Sequence, residues 1–157
     1  MADHRALAAI KALQDALKAA NTRAGQNVEI GRASGIGGEL ESDAIDLNVG
    51  PDSPLTNLGS TNLFIIDSVQ RVYVDLHTRM ADVHERQILE NIFQMRAQTH
   101  NALLSSANHT LDGTCISVRY LGTEDFDQNT GGDRLGSMRT TWDIYYRMKY
   151  SDATLAS

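Results

Sequence analysis

The chain has 157 residues and a net charge of −6, and its 41% hydrophobic and 22% charged content is typical of a single globular domain. It contains no dense run of lysine and arginine, which argues against tight binding to a nucleic-acid backbone. Its one cysteine, Cys115, cannot form an internal disulfide, and its longest strongly apolar run, residues 63–66, is too short to span a bilayer.

A helix is predicted at the start of the chain, and two short strands are predicted after it. The helix is indicated by an apolar stripe formed by Ala6, Ile10, Leu13, Leu17 and Ala20. Strands are predicted at residues 27–32 and 44–49. The second strand has an alternating apolar set, Ile45, Leu47 and Val49. Pro51 and Pro54 are predicted to end it, because proline removes a hydrogen bond from a strand ladder.

The clearest strand is predicted at residues 68–78, where apolar and polar side chains alternate. Its apolar face consists of Val72, Val74 and Leu76, and its polar face of Arg71, Tyr73, Asp75 and His77. A helix is predicted at 82–105, and strands are predicted at 114–121 and 139–150. The last strand directs one set of side chains towards the core, Trp142, Ile144 and Tyr146, and another set away from it, Tyr145 and Arg147.

The order α-β-β-β-α-β-β predicts an α+β fold, a mainly antiparallel sheet of about four to five strands with two helices packed on one face. Residues 1–157 are predicted to form one domain with three long loops, at 31–43, 50–67 and 122–136. Loops of this length in a small domain are usually functional or disordered. We therefore expect these loops to contact a partner.

The segment "RVYVDLHTRMADVHERQILENIF" raises the question of a metal or acid–base site, because it holds Asp75, His77, His84 and Glu85. A metal site needs three or four ligands that converge on one ion. Asp75 and His77 instead alternate along a strand face, which is typical of a solvated or partner-facing surface. We expect no catalytic residues, no metal and no cofactor. A small metal-dependent hydrolase that uses Asp75 and His77 is the enzymatic alternative.

The polar strand faces and the acidic third loop form the candidate partner surface. Tyrosine and arginine are enriched at protein interfaces, and the outward strand positions supply Tyr73, Tyr145 and Arg147. Asp75 and His77 belong to the same candidate interface. The loop at 122–136 adds its acidic residues Glu124, Asp125 and Asp127. The competing interpretation is a half-exposed sheet face without a partner.

The order of the segments resembles a known family of virion proteins. Six segments carry the resemblance: "HRALAAIKALQDALKAA", "DAIDLNVGPDSP", "SVQRVYVDLHTRM", "ERQILENIFQMRAQTHNALL", "HTLDGTCISVRYLGTED" and "MRTTWDIYYRMKY". Together they resemble the tail terminator (tail completion) proteins of long-tailed bacteriophages in pattern and order. The resemblance covers residues 3–150, and the glycine-rich stretch at 31–43, apart from Asp43, is outside these six segments.

This resemblance implies a structural role. Proteins of the family form a six-fold ring on the last ring of tail-tube subunits, stop the tube from growing and present a surface to the head connector. The expected partners are therefore other copies of this chain in a homo-hexameric ring, the tail-tube protein and the head connector or neck protein. DNA would cross the lumen without specific binding, which suits an acidic chain, and no membrane is involved. The expected location is the head-proximal end of the tail, after assembly in the host cytoplasm.

Other parts of the same virion are the nearest alternatives, namely a head-completion or neck connector protein and a tail-tube subunit. A tube subunit would stack into long polymers by itself, whereas a terminator should stop at a ring. A binding module with an unrelated role is a further alternative.

Overall fold

The computed structural model describes residues 4–31, 42–55, 65–80, 85–105, 108–124, 126–129 and 134–149. The elements in chain order are α1 (Arg5–Ala19), β1 (Val28–Ile30), β2 (Ser42–Pro54), β3 (Ile65–Met80), α2 (Glu85–Leu104), β4 (Ser117–Thr123), β5 (Asp127–Asn129) and β6 (Arg134–Lys149). This is the predicted α+β fold with both helices on one face of the sheet. The three-residue strand β5 is additional to the predicted order.

The two longest strands form the centre of the sheet. The strand order is β1-β2-β3-β6-β4, and β5 pairs with the first part of β6. Strands β3 and β6 run antiparallel without a break from Ile65 opposite Lys149 to Met80 opposite Arg134. Only the β1–β2 pairing is parallel among the described strands. Strands β4 and β5 therefore lie one after the other along the same side of β6.

The core lies between the helices and the inward face of the central strands. Its strand side chains include Val72, Val74, Leu76, Trp142, Ile144 and Tyr146, all fully buried. Helix α1 contributes Ile10, Leu13 and Leu17, as its apolar stripe predicted, and α2 contributes Ile92 and Met95 to the same cluster. Ile88 is also buried, but it lies outside this cluster. The alternation predicted for the central and last strands is thus confirmed.

Strand β2 is longer than the predicted strand at 44–49, which Pro51 and Pro54 were expected to end. A bulge between Val49 and Asp52 holds Pro51, and pairing with β3 resumes up to Pro54 opposite Ser68. Strand β1 ends opposite Leu47, so beyond that point β3 is the one strand paired with β2 among the described residues. Proline is tolerated at a bulge and on such an edge, because no ladder hydrogen bond is lost there. The prediction that Pro51 ends the strand is therefore wrong.

The three long loops predicted at 31–43, 50–67 and 122–136 are shortened by strand residues. Residues 42–43, 50–54, 65–67, 122–123, 127–129 and 134–136 all belong to strands. The β2–β3 ends are joined by a hydrogen bond from the Leu55 N–H to the Asp67 carbonyl, 2.8 Å. Gly136 is packed beneath Ile88, and a Cβ atom there would collide with the Ile88 side chain. The other residues of the three segments, apart from Gly31, Leu55, Glu124 and Phe126, lie outside the described part of the chain.

Candidate interface on the outer sheet face

The outer face, the side of the sheet opposite the helices, carries three arginine–aspartate pairs across the β3–β6 ladder. The pairs are Asp67–Arg147, Arg71–Asp143 and Asp75–Arg139, with closest N–O distances of 2.5, 2.9 and 2.7 Å. In each pair the two residues are direct cross-strand neighbours, and the pairs are spaced four residues apart. This spacing follows from the two-residue period of a strand, which keeps all six side chains on one face.

In these three pairs, the charge of each arginine is balanced by an aspartate of the same sheet face. The aspartates are largely covered, with side-chain exposures of 15, 8 and 12%, whereas their arginines are 39–48% exposed. The hydrogen bond from Arg147 holds the pKa of Asp67 below its usual value, against the opposing effect of burial. The same kind of bond raises the pKa of each of the three arginines. The contribution of the Asp67–Arg147 pair to folding stability is therefore fully present above the usual pKa of aspartate. It is lost as the pH falls through the lowered pKa of Asp67.

A cleft of about 290 Å³ opens at one end of this face. It is lined by Asp75, His77, Glu124, Asp127, Ser137, Met138 and Arg139. Strand β3 supplies the first two residues, and β6 supplies the last three. Asp127 reaches the cleft because β5 places it opposite Ser137. Glu124 follows β4 and is fixed by its backbone N–H, which donates to the Arg139 carbonyl at 2.8 Å.

Asp75 forms the floor of the cleft and is buried. Its two carboxylate oxygens accept hydrogen bonds from Arg139 at 2.7 and 2.8 Å, and one also accepts from Asn48 at 2.8 Å. The Arg139 guanidinium lies 4.8 Å from the centre of the Tyr73 ring, a cation–π distance. His77 Nε2 is 3.3 Å from an Asp46 oxygen. These contacts make the floor a fixed polar network.

The rim of the cleft is acidic. Glu124 and Asp127 are both exposed there. The cleft thus contains three carboxylates, one arginine and a histidine that already contacts a fourth carboxylate. Its balance of charge is negative, which favours a cationic group over an anion.

Four of the eight residues predicted for the interface meet in this cleft, namely Asp75, His77, Glu124 and Asp127. Tyr73 lies next to it, beneath Arg139. Tyr145 and Arg147 are further along β6, opposite Val69 and Asp67, and do not line it. Asp125 lies outside the described residues.

Sequence reasoning missed Arg139, Asn48 and Asp46, which complete the network around Asp75 and His77. They belong to strands distant in sequence, and the strand registers alone bring them together. Arg139 stands at the start of the last predicted strand, and nothing in that pattern identifies Asp75 as its partner.

Two of the residues considered for chemistry, Asp75 and His77, contact side chains of neighbouring strands, Arg139 and Asp46. Within the described ranges, no group of three or more His, Cys, Asp or Glu side chains is placed to hold a metal ion. Burial raises the pKa of Cys115 to about 11, which disfavours the thiolate that a nucleophile requires. His84 and the side chain of Glu85 are not among the described groups. Neither described helix is long and apolar enough to cross a membrane.

No protein-family model matches the chain, and a search of curated proteins found no match.

Proposed function

We propose that this chain is a structural virion protein that forms a ring at the head-proximal end of a phage tail tube, stops tube polymerisation and provides the surface for head–tail joining. Support comes first from the resemblance in element order. The segments that carry it overlap α1, β2, β3, α2, β4 and β6, so each contains part or all of one element. The partners in this proposal are copies of the chain itself in a homo-hexamer, the tail-tube protein and the head connector.

The observation that carries the proposal is the presence of exposed apolar side chains at two opposite edges of the sheet. At the β2 edge Val49 is 54% exposed and Leu55 is 37% exposed. At the β4 edge Ile116 is 47% exposed and Leu121 is 42% exposed. A ring needs two different patches on each subunit, because its contacts are head-to-tail. Two opposite edges with apolar groups supply such a pair.

Both edges also resist open-ended strand pairing. Strand β2 has a bulge and two prolines beyond its pairing with β1, and β4 has a bulge between Tyr120 and Gly122. Bulges and prolines are the features with which natural sheets block edge-to-edge polymerisation. A contact made through side chains can close at a fixed rotation, which favours a finite ring over a growing fibre.

The outer face would not retain DNA. Its three central arginines are each bound to an aspartate, and the cleft beside them is acidic. Tight binding to DNA requires cations that are available to replace the counterions of the phosphates. A surface of this kind is compatible with DNA passing through a lumen. A head-completion or neck connector protein shares these properties and is the closest alternative.

The acidic rim offers a direct test of assembly. We expect the double variant Glu124→Gln/Asp127→Asn to fold normally, because both side chains are exposed. If the rim receives a basic group of a neighbouring subunit, the variant ring should be less stable. A loss of about 1.4 kcal/mol from each contact would raise the protein concentration at which half of the ring is dissociated by at least about tenfold. Sedimentation over a concentration series measures this.

A matched control separates a specific contact from the change in net charge. Asp15→Asn/Glu90→Gln removes two exposed acidic charges from the helices and should leave assembly unchanged. Equal weakening by both double variants would mean that only overall charge matters. In infected cells, loss of the whole protein should give tails of uncontrolled length or heads and tails that fail to join. Normal tails without it would overturn the proposal.

A further inference from the structure

Three rings form a cluster where α2 crosses the β4–β6 pair. The centre of the His100 ring lies 4.3 Å from that of Tyr120 and 5.3 Å from that of Trp142. Tyr120 and Trp142 are 5.2 Å apart, so each ring contacts both others. Trp142 is fully buried, and its indole N–H donates to the Thr140 hydroxyl at 2.9 Å. The cluster therefore joins the helix to the edge strand β4 and the central strand β6.

His100 contributes an imidazole ring to this cluster. Its Nε2 atom is shielded from solvent and has no hydrogen-bond partner among the described residues. Arg96 lies one turn earlier on α2, and its guanidinium donates to the Tyr120 hydroxyl at 3.4 Å. Strand β4 presents the phenol of Tyr120, and β6 presents the uncharged indole of Trp142. Burial, and then the charge of Arg96, lower the pKa of His100.

We propose that the His100–Tyr120–Trp142 cluster is a proton-sensitive latch that holds α2 against β4 and opens when His100 is protonated. A proton placed on Nε2 creates a second cation beside Arg96 and a buried N–H donor that has no acceptor among the described residues, and both effects disfavour the closed contact. The strand that is released is β4, which has β6 as its only partner strand in the described sheet. This device is independent of the proposed ring, although β4 carries one of its two apolar edges.

The direction of the pH dependence follows from the lowered pKa. His100 takes up a proton at its ordinary value near 6.5 when the latch is open, and only at lower pH when it is closed. The closed state therefore has its full stability above about pH 6.5, and this stability falls as the pH drops towards the lowered pKa. Within that window the opening equilibrium should rise by up to tenfold per pH unit, because each unit of pKa difference is a factor of ten.

Trp142 supplies the readout, because it is the only tryptophan in the chain. We expect its fluorescence to change with a midpoint below pH 6.5 when the full-length protein is titrated from pH 8 to pH 4.5. Hydrogen exchange, corrected for intrinsic rates, should show protection of the β4 amides falling by up to tenfold per pH unit below 6.5. Both changes should vanish in His100→Phe and in His100→Gln, which cannot carry the proton.

His109→Gln is the control, because the His109 side chain is exposed and its structural contact with Val118 uses the backbone carbonyl. It should keep the transition of the parent. If His100→Phe does not fold, His100→Gln decides the question. The latch is refuted by a transition that survives in both His100 variants, by a parent protein without any transition, or by a midpoint at or above 6.5. The last result would mean that the aromatic rings stabilise the imidazolium.

Discussion

Replacing Ile92 by alanine should lower the free energy of unfolding by about 2–5 kcal/mol, the range for emptying a buried aliphatic site. Ile92 is fully buried on α2 and belongs to the cluster that contains Trp142, Ile144 and Tyr146. Removal of three carbon atoms leaves a cavity between a helix and a continuous pair of long strands, which have little freedom to close it. Urea unfolding followed by circular dichroism measures the loss.

Leu89→Ala on the same helix is the matched control, because Leu89 is 40% exposed. It removes a similar apolar group and changes helix propensity little, so we expect an effect of about 0.5 kcal/mol or less. A loss of that size for Ile92→Ala would show that α2 does not pack on the sheet through this face.

Asp75→Ala should have the second largest effect, about 1–3 kcal/mol. The substitution leaves the Arg139 guanidinium without its two-bond partner and the Asn48 amide without its acceptor. Breaking a fully buried ion pair costs about 3–5 kcal/mol. The Arg139 side chain is 39% exposed, so water compensates part of the lost interaction.

The exposed Arg86–Glu90 pair on α2 provides the comparison for Asp75→Ala. Its side chains are 86 and 52% exposed, and Glu90→Ala should cost about 0.5 kcal/mol or less. Metal analysis of the untagged parent protein should also find no stoichiometric ion. A tightly held ion that disappears in Asp75→Ala would contradict the structural role of this carboxylate and favour the hydrolase alternative.

The fold could be predicted from the sequence wherever apolar residues recur with the regular spacing of one strand or one helix. Alternation from Val72 to Leu76 fixed the inward face of β3, and the same pattern fixed Trp142, Ile144 and Tyr146 in β6. Val49 belongs to the alternating set of β2, yet it is 54% exposed. The sequence pattern of β2 could not show this, because the exposure of Val49 depends on a neighbouring strand. Strand β1 ends opposite Leu47 and does not extend as far as Val49.

The sequence predicted several residues of the candidate site, but it did not predict which side chains contact them. The sequence placed Asp75 and His77 on one polar strand face, as the structure does. The partners Arg139 and Asp46 depend on the registers of β6 and β2 against β3, and a one-residue slip would have changed every cross-strand pair. Asp75, which was predicted for a partner-facing surface, is largely buried and accepts three hydrogen bonds from its own chain.

Formation of a closed ring can be tested by the mass of the purified protein, measured by native mass spectrometry, together with particle images. The proposal predicts one assembly of fixed size with a central opening, six subunits according to the resemblance, that does not lengthen as the protein concentration rises. Tubes that grow with concentration would indicate a tail-tube subunit. A monomer at every concentration would contradict the ring and the terminator function with it.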